Sequence, residues 1–542
     1  MFGRGRESTS KRTSGLRRAA TLSSRVKTSL EVRLSLRAAF CLSTPLIVGV
    51  IINQRLHAII FAIGSLWAIS QDGLDDWHVR GPRLLWVAVA SGSGVMLGAS
   101  FASSHPGSGA LIALYAAVAF FAGLAEASNR ATAGAYLLVG TILGAGLGFK
   151  GMEWQAALSV FLGALWVFLV AYLMNVRLRR SNQRLALARA FDLLASVVEA
   201  VGTPQFFVAR DSAVSALDRA QDIVGLYRRR AKNAEDVALR QCLIVALRMG
   251  EVISFLEGKE LPVDPAMASG LLDVASILTT SNARSAVQAL DSFPHLFQSP
   301  SGLNPVVISA LAPLSAAQLE EIRLRPYSVN TAHPPMPIRD RLRFAIILAA
   351  AIAAGTAIAV TLNDPHGFWL PMTIAFILRP DVGPVITRAL ARTVGTVVGV
   401  GIAGIVILTG DTILALVLLS CVMAAIQPWA ARHSHALAVM AFTPVVFVFL
   451  GLLGSRQDLF AARVIDTALA AAVVLIFDLF AWTTAPSMRP AQRLAAARAA
   501  EARYEHEATL DNPVTRTRLR RAALRGAKLR GAALRRTFRF MK

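Results

Sequence analysis

Charge is what this sequence has least of. Only 16% of its 542 residues are Asp, Glu, Lys or Arg, against roughly 25% in ordinary soluble domains. Hydrophobic residues make up 55%, and the mean hydropathy is +0.53. Together these exclude a water-soluble globular chain and leave room for many spans of about 20 apolar residues. Cysteine is scarce too. Cys41, Cys242 and Cys421 stand alone, without metal or redox spacing, and do not form a disulfide framework. Cys41 follows Ala38-Ala39-Phe40, with a bulky residue where a cleavage site takes a small one, so the first apolar run reads as a retained span. There is no Gly-x-x-x-x-Gly-Lys-Ser/Thr to cradle phosphates for ATP hydrolysis. No metal cluster, nucleophile–base motif or strand alternation stands out. The expectation is an all-α membrane protein that is not an enzyme and carries no cofactor or metal.

The charge that is present is one-sided, 56 Lys and Arg against 33 Asp and Glu. It gathers outside the apolar runs, which makes it a topology signal before a nucleic-acid signal. Residues 1–37 form a basic arm. Six apolar runs fill a first membrane half, 38–176, and the second of them is short. Residues 177–338 turn amphipathic: Leu185, Leu187, Phe191, Leu194 and Val198 recur at helical spacing. Helices are expected near 211–231, 234–257 and 265–291, ahead of a Pro-rich linker at Pro334, Pro335 and Pro337. Six more runs fill a second membrane half, 339–485, and a basic tail occupies 486–542. By the positive-inside rule both termini and the helical domain between the halves are cytoplasmic. In the tail, Arg518, Arg521, Arg525 and Lys528 fall at helical spacing, which suits either a helix on anionic lipid or a solvated segment.

The two halves read as copies. Asp72 precedes Arg83 by 11 positions (83 − 72), and Asp381 precedes Arg392 by 11 (392 − 381), each pair between the second and third runs of its half. Six runs per half would give both halves one orientation, a parallel repeat. Gly140, Gly144 and Gly148 in the first half, and Gly395 and Gly399 in the second, are spaced for close helix packing in lipid.

The most informative stretch runs from Asn363 to Gly404. It contains His366-Gly367-Phe368-Trp369, then Arg379-Pro380-Asp381 with Gly383, then Arg392-Thr393-Val394-Gly395-Thr396 with Gly399. A later Arg463-Val464-Ile465-Asp466-Thr467 opens the last span. These motifs resemble the fusaric acid resistance family of inner-membrane proteins, which includes the aromatic acid exporters. The resemblance implies a multi-pass bacterial inner-membrane transporter, an exporter of aromatic or other amphipathic organic acids, with energy from an ion gradient such as proton entry. A more distant similarity to the plant aluminium-activated malate transporters implies the alternative of a passive anion channel. A non-transporting membrane scaffold is the third reading.

Each candidate residue has a functional and a plain reading. Phe368 and Trp369, with His366 beside them, suit stacking on an aromatic ligand or an interfacial aromatic belt. Arg379, Asp381 and Arg392 suit carboxylate capture or positive-inside anchoring with a loop ion pair. Asp466 lies three after Arg463, on one helix face. Asp478 in the last span is a proton-carrier candidate because ionisable groups inside a bilayer are costly, or a solvated group near the interface. The partners implied are a small organic acid and anionic lipid, with a homo-oligomer left open and nucleic acid not among them.

Overall fold

The computed structural model describes residues 32–73, 77–125, 128–224, 233–255, 265–292, 338–363, 366–378, 385–409, 412–452 and 459–484. The described residues are almost entirely α-helical, as an apolar chain in lipid requires, because a helix satisfies its backbone groups within its own segment. They fall into two compact units, one of 29–179 with 331–483 and the other centred on 180–330. The basic tail, the Pro-rich linker and nearly all of the basic arm lie outside the described residues.

The membrane unit opens with α1 (Val32–Ile51), α2 (Arg55–Gln71), α3 (Trp77–Ser103), α4 (Ser108–Leu124) and α5 (Ser128–Leu147), followed by the first part of α6 (Glu153–Ala200). Its later helices are numbered after those of the second unit: α11 (Ile338–Thr361), α12 (Trp369–Ile377), α13 (Val385–Thr409), α14 (Ile413–His433), α15 (His435–Leu452) and α16 (Leu459–Thr484). Among the described residues, seven segments are long and apolar enough to cross a membrane, those of α1, α3, α6, α11, α13, α14 and α16. Helices α4, α5 and α15 carry shorter apolar segments. The run at 366–379 was expected to be a span, but α12 has nine residues, about 13.5 Å at 1.5 Å each, under half of a hydrocarbon core of about 30 Å. It is a buried half-length helix, with eight of its nine residues inaccessible.

Local sequence sets the helix ends. The Thr412 hydroxyl accepts from Ala415 N at 3.2 Å and starts α14. Helices α1 and α11 finish alike. Asn53 and Asn363 adopt φ of 57° and 50°, a left-handed turn that Asn tolerates, and each amide bonds back three residues, to Val50 O and Val360 O. Small residues then fix the packing. A Cβ on Gly94 or Gly98 of α3 would meet α5 backbone, and one on Gly140 or Gly144 of α5 would meet α3 backbone. Gly395 and Gly399 of α13 lie in the same way against α15 at Ala436 and Thr443. Gly148 departs from that pattern: it has φ +67° and open space around it, and its amide reaches back to Gly144 O. It ends α5 rather than packing it.

Across the halves, Gly123 of α4 sits against Ala345 of α11, and Ser43 of α1 bonds Cys421 of α14. The halves thus share one apolar core that runs from Leu42 and Leu138 to Trp369 and Val474.

The second unit holds the later part of α6 with α7 (Phe206–Val224), α8 (Ala234–Phe255), α9 (Pro265–Thr280) and α10 (Ala283–Ser292). Leu187, Phe191, Leu194 and Val198 are buried, and Leu185 is half-buried. The helix expected over 265–291 is two helices, because Asn282 caps a new start by accepting from Ser285 N at 3.0 Å. Asp192 and Arg240 are buried in this unit.

Candidate functional site

The half-length helix α12 has a charged cluster at each end. Its N-terminal cluster is built around Trp369, which is 2% exposed. The His366 ring lies 5.5 Å from it, Phe368 meets it edge-on at 5.8 Å and Phe447 of α15 at 6.2 Å. Phe460 of α16 stacks on Phe447 at 4.9 Å. Above the indole, 4.9 Å from its centre, is the guanidinium carbon of Arg463. Phe368 in turn covers Gly146 of α5, where a Cβ would strike its ring. The first membrane half therefore supplies part of the wall.

Arg463 is 3% exposed and Asp466, one turn along α16, is 3% exposed. The Asp466 charge acts on Arg463, while Arg463 Nη1 is buried with no protein hydrogen-bond acceptor. The indole face gives a cation contact worth roughly 0.5–2 kcal/mol, but a π-face cannot take the directed N–H bonds that a guanidinium offers in its planar fork. The cluster thus presents a buried positive group with a free donor, walled by aromatic rings. Chemically it suits a planar anion with an apolar body.

The C-terminal cluster is more open. Arg392, 5% exposed, lies 4.7 Å over Phe376, whose ring is 6.5 Å from Phe442. Asp478, part-exposed near the end of α16, feels the charge of Arg388. Arg379 and Asp381 lie outside the described residues. Of the residues singled out in the sequence, His366, Phe368 and Trp369 come together at one end of α12, Asp466 lies one turn from Arg463 on α16, and Arg392 lies over Phe376 near the other end. Asp478 is twelve residues beyond Asp466, about 18 Å along the helix, so it does not share their pocket.

The first half holds a cluster that the sequence did not disclose. Arg37 Nη2 and Asp72 Oδ2 are 2.5 Å apart, and Arg80 Nε lies 3.6 Å from Asp72 Oδ1. Arg37 also donates to Gly73 O at 3.2 Å. Arg80 donates to Gly73 O at 2.6 Å and to Ala171 O at 3.3 Å, and lies 5.2 Å from the Trp77 ring. Arg37 was read as the end of a basic arm, yet it is 6% exposed inside α1. The sequence signal was its position directly before Ala38-Ala39-Phe40. Beside this cluster Ser70 and Gln71 bond the Tyr136 hydroxyl at 2.6 and 3.1 Å. Among the described residues no group of three or more His, Cys, Asp or Glu is placed to hold a metal ion.

Residues 348–477, which contain α12 and both of its clusters apart from Gly146 and Asp478, match the fusaric acid resistance protein-like family. Over 141 residues the chain is 29% identical to inner membrane protein YccS of Escherichia coli strain K12, an alignment covering 26% of this chain and 20% of that protein. The chain thus matches about a fifth of the length of that curated relative. No solved structure matches it. Over residues 348–477 the second membrane half is thus similar to that family, in agreement with the motifs from His366 to Thr467.

Proposed function

We propose that this multi-pass membrane protein, whose second half is similar to the fusaric acid resistance protein-like family over residues 348–477, is a secondary exporter of organic acids with an aromatic or other apolar body. The family's description, resistance to fusaric acid, supports an outward direction and an aromatic carboxylate as cargo. The observation that carries the reading is Arg463, buried, with Nη1 lacking an acceptor and Trp369 beneath the guanidinium. A substrate carboxylate supplies the charge-assisted hydrogen bonds that Trp369 cannot. Its apolar body rests on Trp369, Phe447 and Phe460, with offset or edge contacts worth about 0.5–1.5 kcal/mol each.

The position of the site supports the same reading. Carriers built from internal repeats hold substrate near the bilayer midplane, at discontinuous helices where the repeats meet. Helix α12 is a half-length helix, and its N-terminal cluster takes a wall from each half. Two features support a parallel repeat: the left-handed Asn turns at Asn53 and Asn363, and the matching exchange of α1 onto α14 and α11 onto α4. With both termini in the cytoplasm by the positive-inside rule, the Trp369 cluster lies toward the outer face and the Arg392 cluster toward the inner.

The test pairs cells and vesicles. A deletion strain is challenged with fusaric acid and benzoate, and efflux of each acid is followed from proteoliposomes. Sensitivity of the strain with saturable efflux supports the exporter. Uncoupled, voltage-driven anion current indicates a passive channel instead. Absence of any acid flux indicates a scaffold, and either of these outcomes overturns the proposal.

A further inference from the structure

We propose that the Thr373 hydroxyl is a contact the organic acid makes in passing between two buried arginines, so that the substrate path follows one face of α12; the inference rests on the Arg463 site proposed above. Trp369, Thr373 and Phe376 are spaced by four and then three residues, which puts them on one face of the helix. A guanidinium lies at each end of that face, Arg463 over Trp369 at 4.9 Å and Arg392 over Phe376 at 4.7 Å. Helix α15 backs both ends with a phenylalanine, Phe447 at 6.2 Å from Trp369 and Phe442 at 6.5 Å from Phe376. The two ring stations are seven residues apart, about 10.5 Å at 1.5 Å each. Thr373 stands between them and carries the one hydroxyl of α12.

That hydroxyl is in an unfavourable place. Thr373 is wholly buried, and its Oγ1 has no hydrogen-bond partner. Thr141, Thr356, Thr443 and Thr467 are buried as well, yet each donates to the carbonyl four residues back at 2.7–2.9 Å. Thr373 makes no such bond to Trp369 O. Thr396, one turn past Arg392 on α13, shares the lack of a partner. A buried hydroxyl left unpaired is costly, and valine would fill the same shape without that cost.

A moving carboxylate gives the hydroxyl its use. Between the two arginines the anion crosses a dry, apolar gap, where an uncompensated charge is heavily penalised. The Thr373 O–H donates to it there, about 6 Å along the axis from Trp369 and about 4.5 Å from Phe376. A hydrogen bond to a charged oxygen is among the stronger ones. The hydroxyl keeps its proton throughout. With the orientation proposed above, the acid meets Arg392 first and Arg463 last, the order that export requires. A contact made only in passage lowers the barrier without adding to affinity at the resting site.

The test compares benzoate efflux from proteoliposomes with equilibrium benzoate binding, using the full chain at equal amounts of folded protein. Thr373→Val should lower the saturated efflux rate by about tenfold, the loss of one hydrogen bond to a charged group. It should leave the benzoate Kd unchanged and the melting temperature in detergent unchanged or raised. Thr373→Ser keeps the O–H and should restore most of the rate. Undiminished efflux in Thr373→Val overturns the proposal and leaves the Arg463 site standing. Equal losses in Thr373→Val and Thr373→Ser, or a lowered melting temperature in Thr373→Val, assign the residue to packing and overturn the proposal. Weakened benzoate binding with an unchanged saturated rate makes Thr373 part of the resting site, which also overturns it. No benzoate binding by the unmodified protein overturns the site and the path together.

Discussion

The two membrane halves pair their buried arginines differently. In the first, Arg37 and Arg80 close on Asp72 and on the carbonyls of Gly73 and Ala171, tying α1, the α2–α3 connection, α3 and α6 into one knot. In the second, Arg463 has an indole face and a carboxylate one turn away, yet keeps a donor without an acceptor. The Nε atoms of Arg37 and Arg80 also lack a hydrogen bond, but both guanidinium groups are paired with a carboxylate and held to carbonyls, and such a cluster holds a structure in place. A guanidinium whose terminal nitrogen lacks an acceptor, walled by aromatic rings, is where a ligand gains the most. On the proposed reading the halves do different work, the first as support and the second as substrate site.

The largest expected effect breaks the second half. Arg463→Gln keeps a hydrogen-bonding side chain of similar reach and removes the charge. Losing one partner of a buried charge pair costs ~2 kcal/mol or more, so transport of benzoate should fall by about thirtyfold or more. Some thermal stability in detergent should be lost as well, because Asp466 stays buried without the charge beside it, so transport is compared at equal amounts of folded protein.

Asp72→Ala should give the reverse split. It leaves Arg37 and Arg80 buried without the Asp72 carboxylate, a change of about 3–5 kcal/mol. Fluorescence-detected size exclusion after heating should show early loss of the folded peak. Replacing Arg37, Asp72 and Arg80 together by apolar residues should recover much of that loss, since removing a whole buried ionic cluster is often neutral.

Packing sharpens the comparison further. Gly98→Leu drives a side chain into the backbone of α5 at Thr141 and Ala145, and overpacking of this kind costs ~1–3 kcal/mol. Gly401→Leu, with open space around its Cβ position, should be tolerated. The two melting curves separate a contact-forming glycine from one facing lipid.

The smallest effect is expected at Asp478. It is part-exposed, and its recorded charge neighbour is Arg388. Pairs of that kind are worth ~0–1 kcal/mol. Asp478→Asn should therefore alter transport less than about fivefold in a proteoliposome flux assay, and complete loss of flux would restore it as a proton carrier.

The fold was largely legible, because in lipid a continuous apolar run can hardly be anything but a helix. The run expected near 155–176 falls within α6, and those expected near 84–104 and 463–485 lie within α3 and α16 except for the last residue of each. What failed was what composition cannot carry. Helix α12 is half the expected length because where a helix ends depends on its surroundings, not on hydropathy. The break at Asn282 is one capping side chain inside an otherwise helical pattern. Gly148 continues the spacing of Gly140 and Gly144 yet sits just past the end of the helix.

The site was half legible. His366, Phe368, Trp369 and Asp466 stood out as polar or aromatic residues against an apolar background. Phe447 and Phe460 did not, since a phenylalanine in an apolar run gives no signal. Arg37 was hidden by its basic neighbours, and its partner Asp72 lies 35 positions away (72 − 37), a separation that no local pattern reports.

The claim at the centre of this account is that Arg463 receives the substrate carboxylate. Scintillation-proximity binding of radiolabelled benzoate to the purified full-length protein tests it most directly. The account predicts saturable binding that unlabelled fusaric acid displaces, lost in Arg463→Gln at equal amounts of folded protein. Saturable binding of undiminished affinity in Arg463→Gln would contradict it.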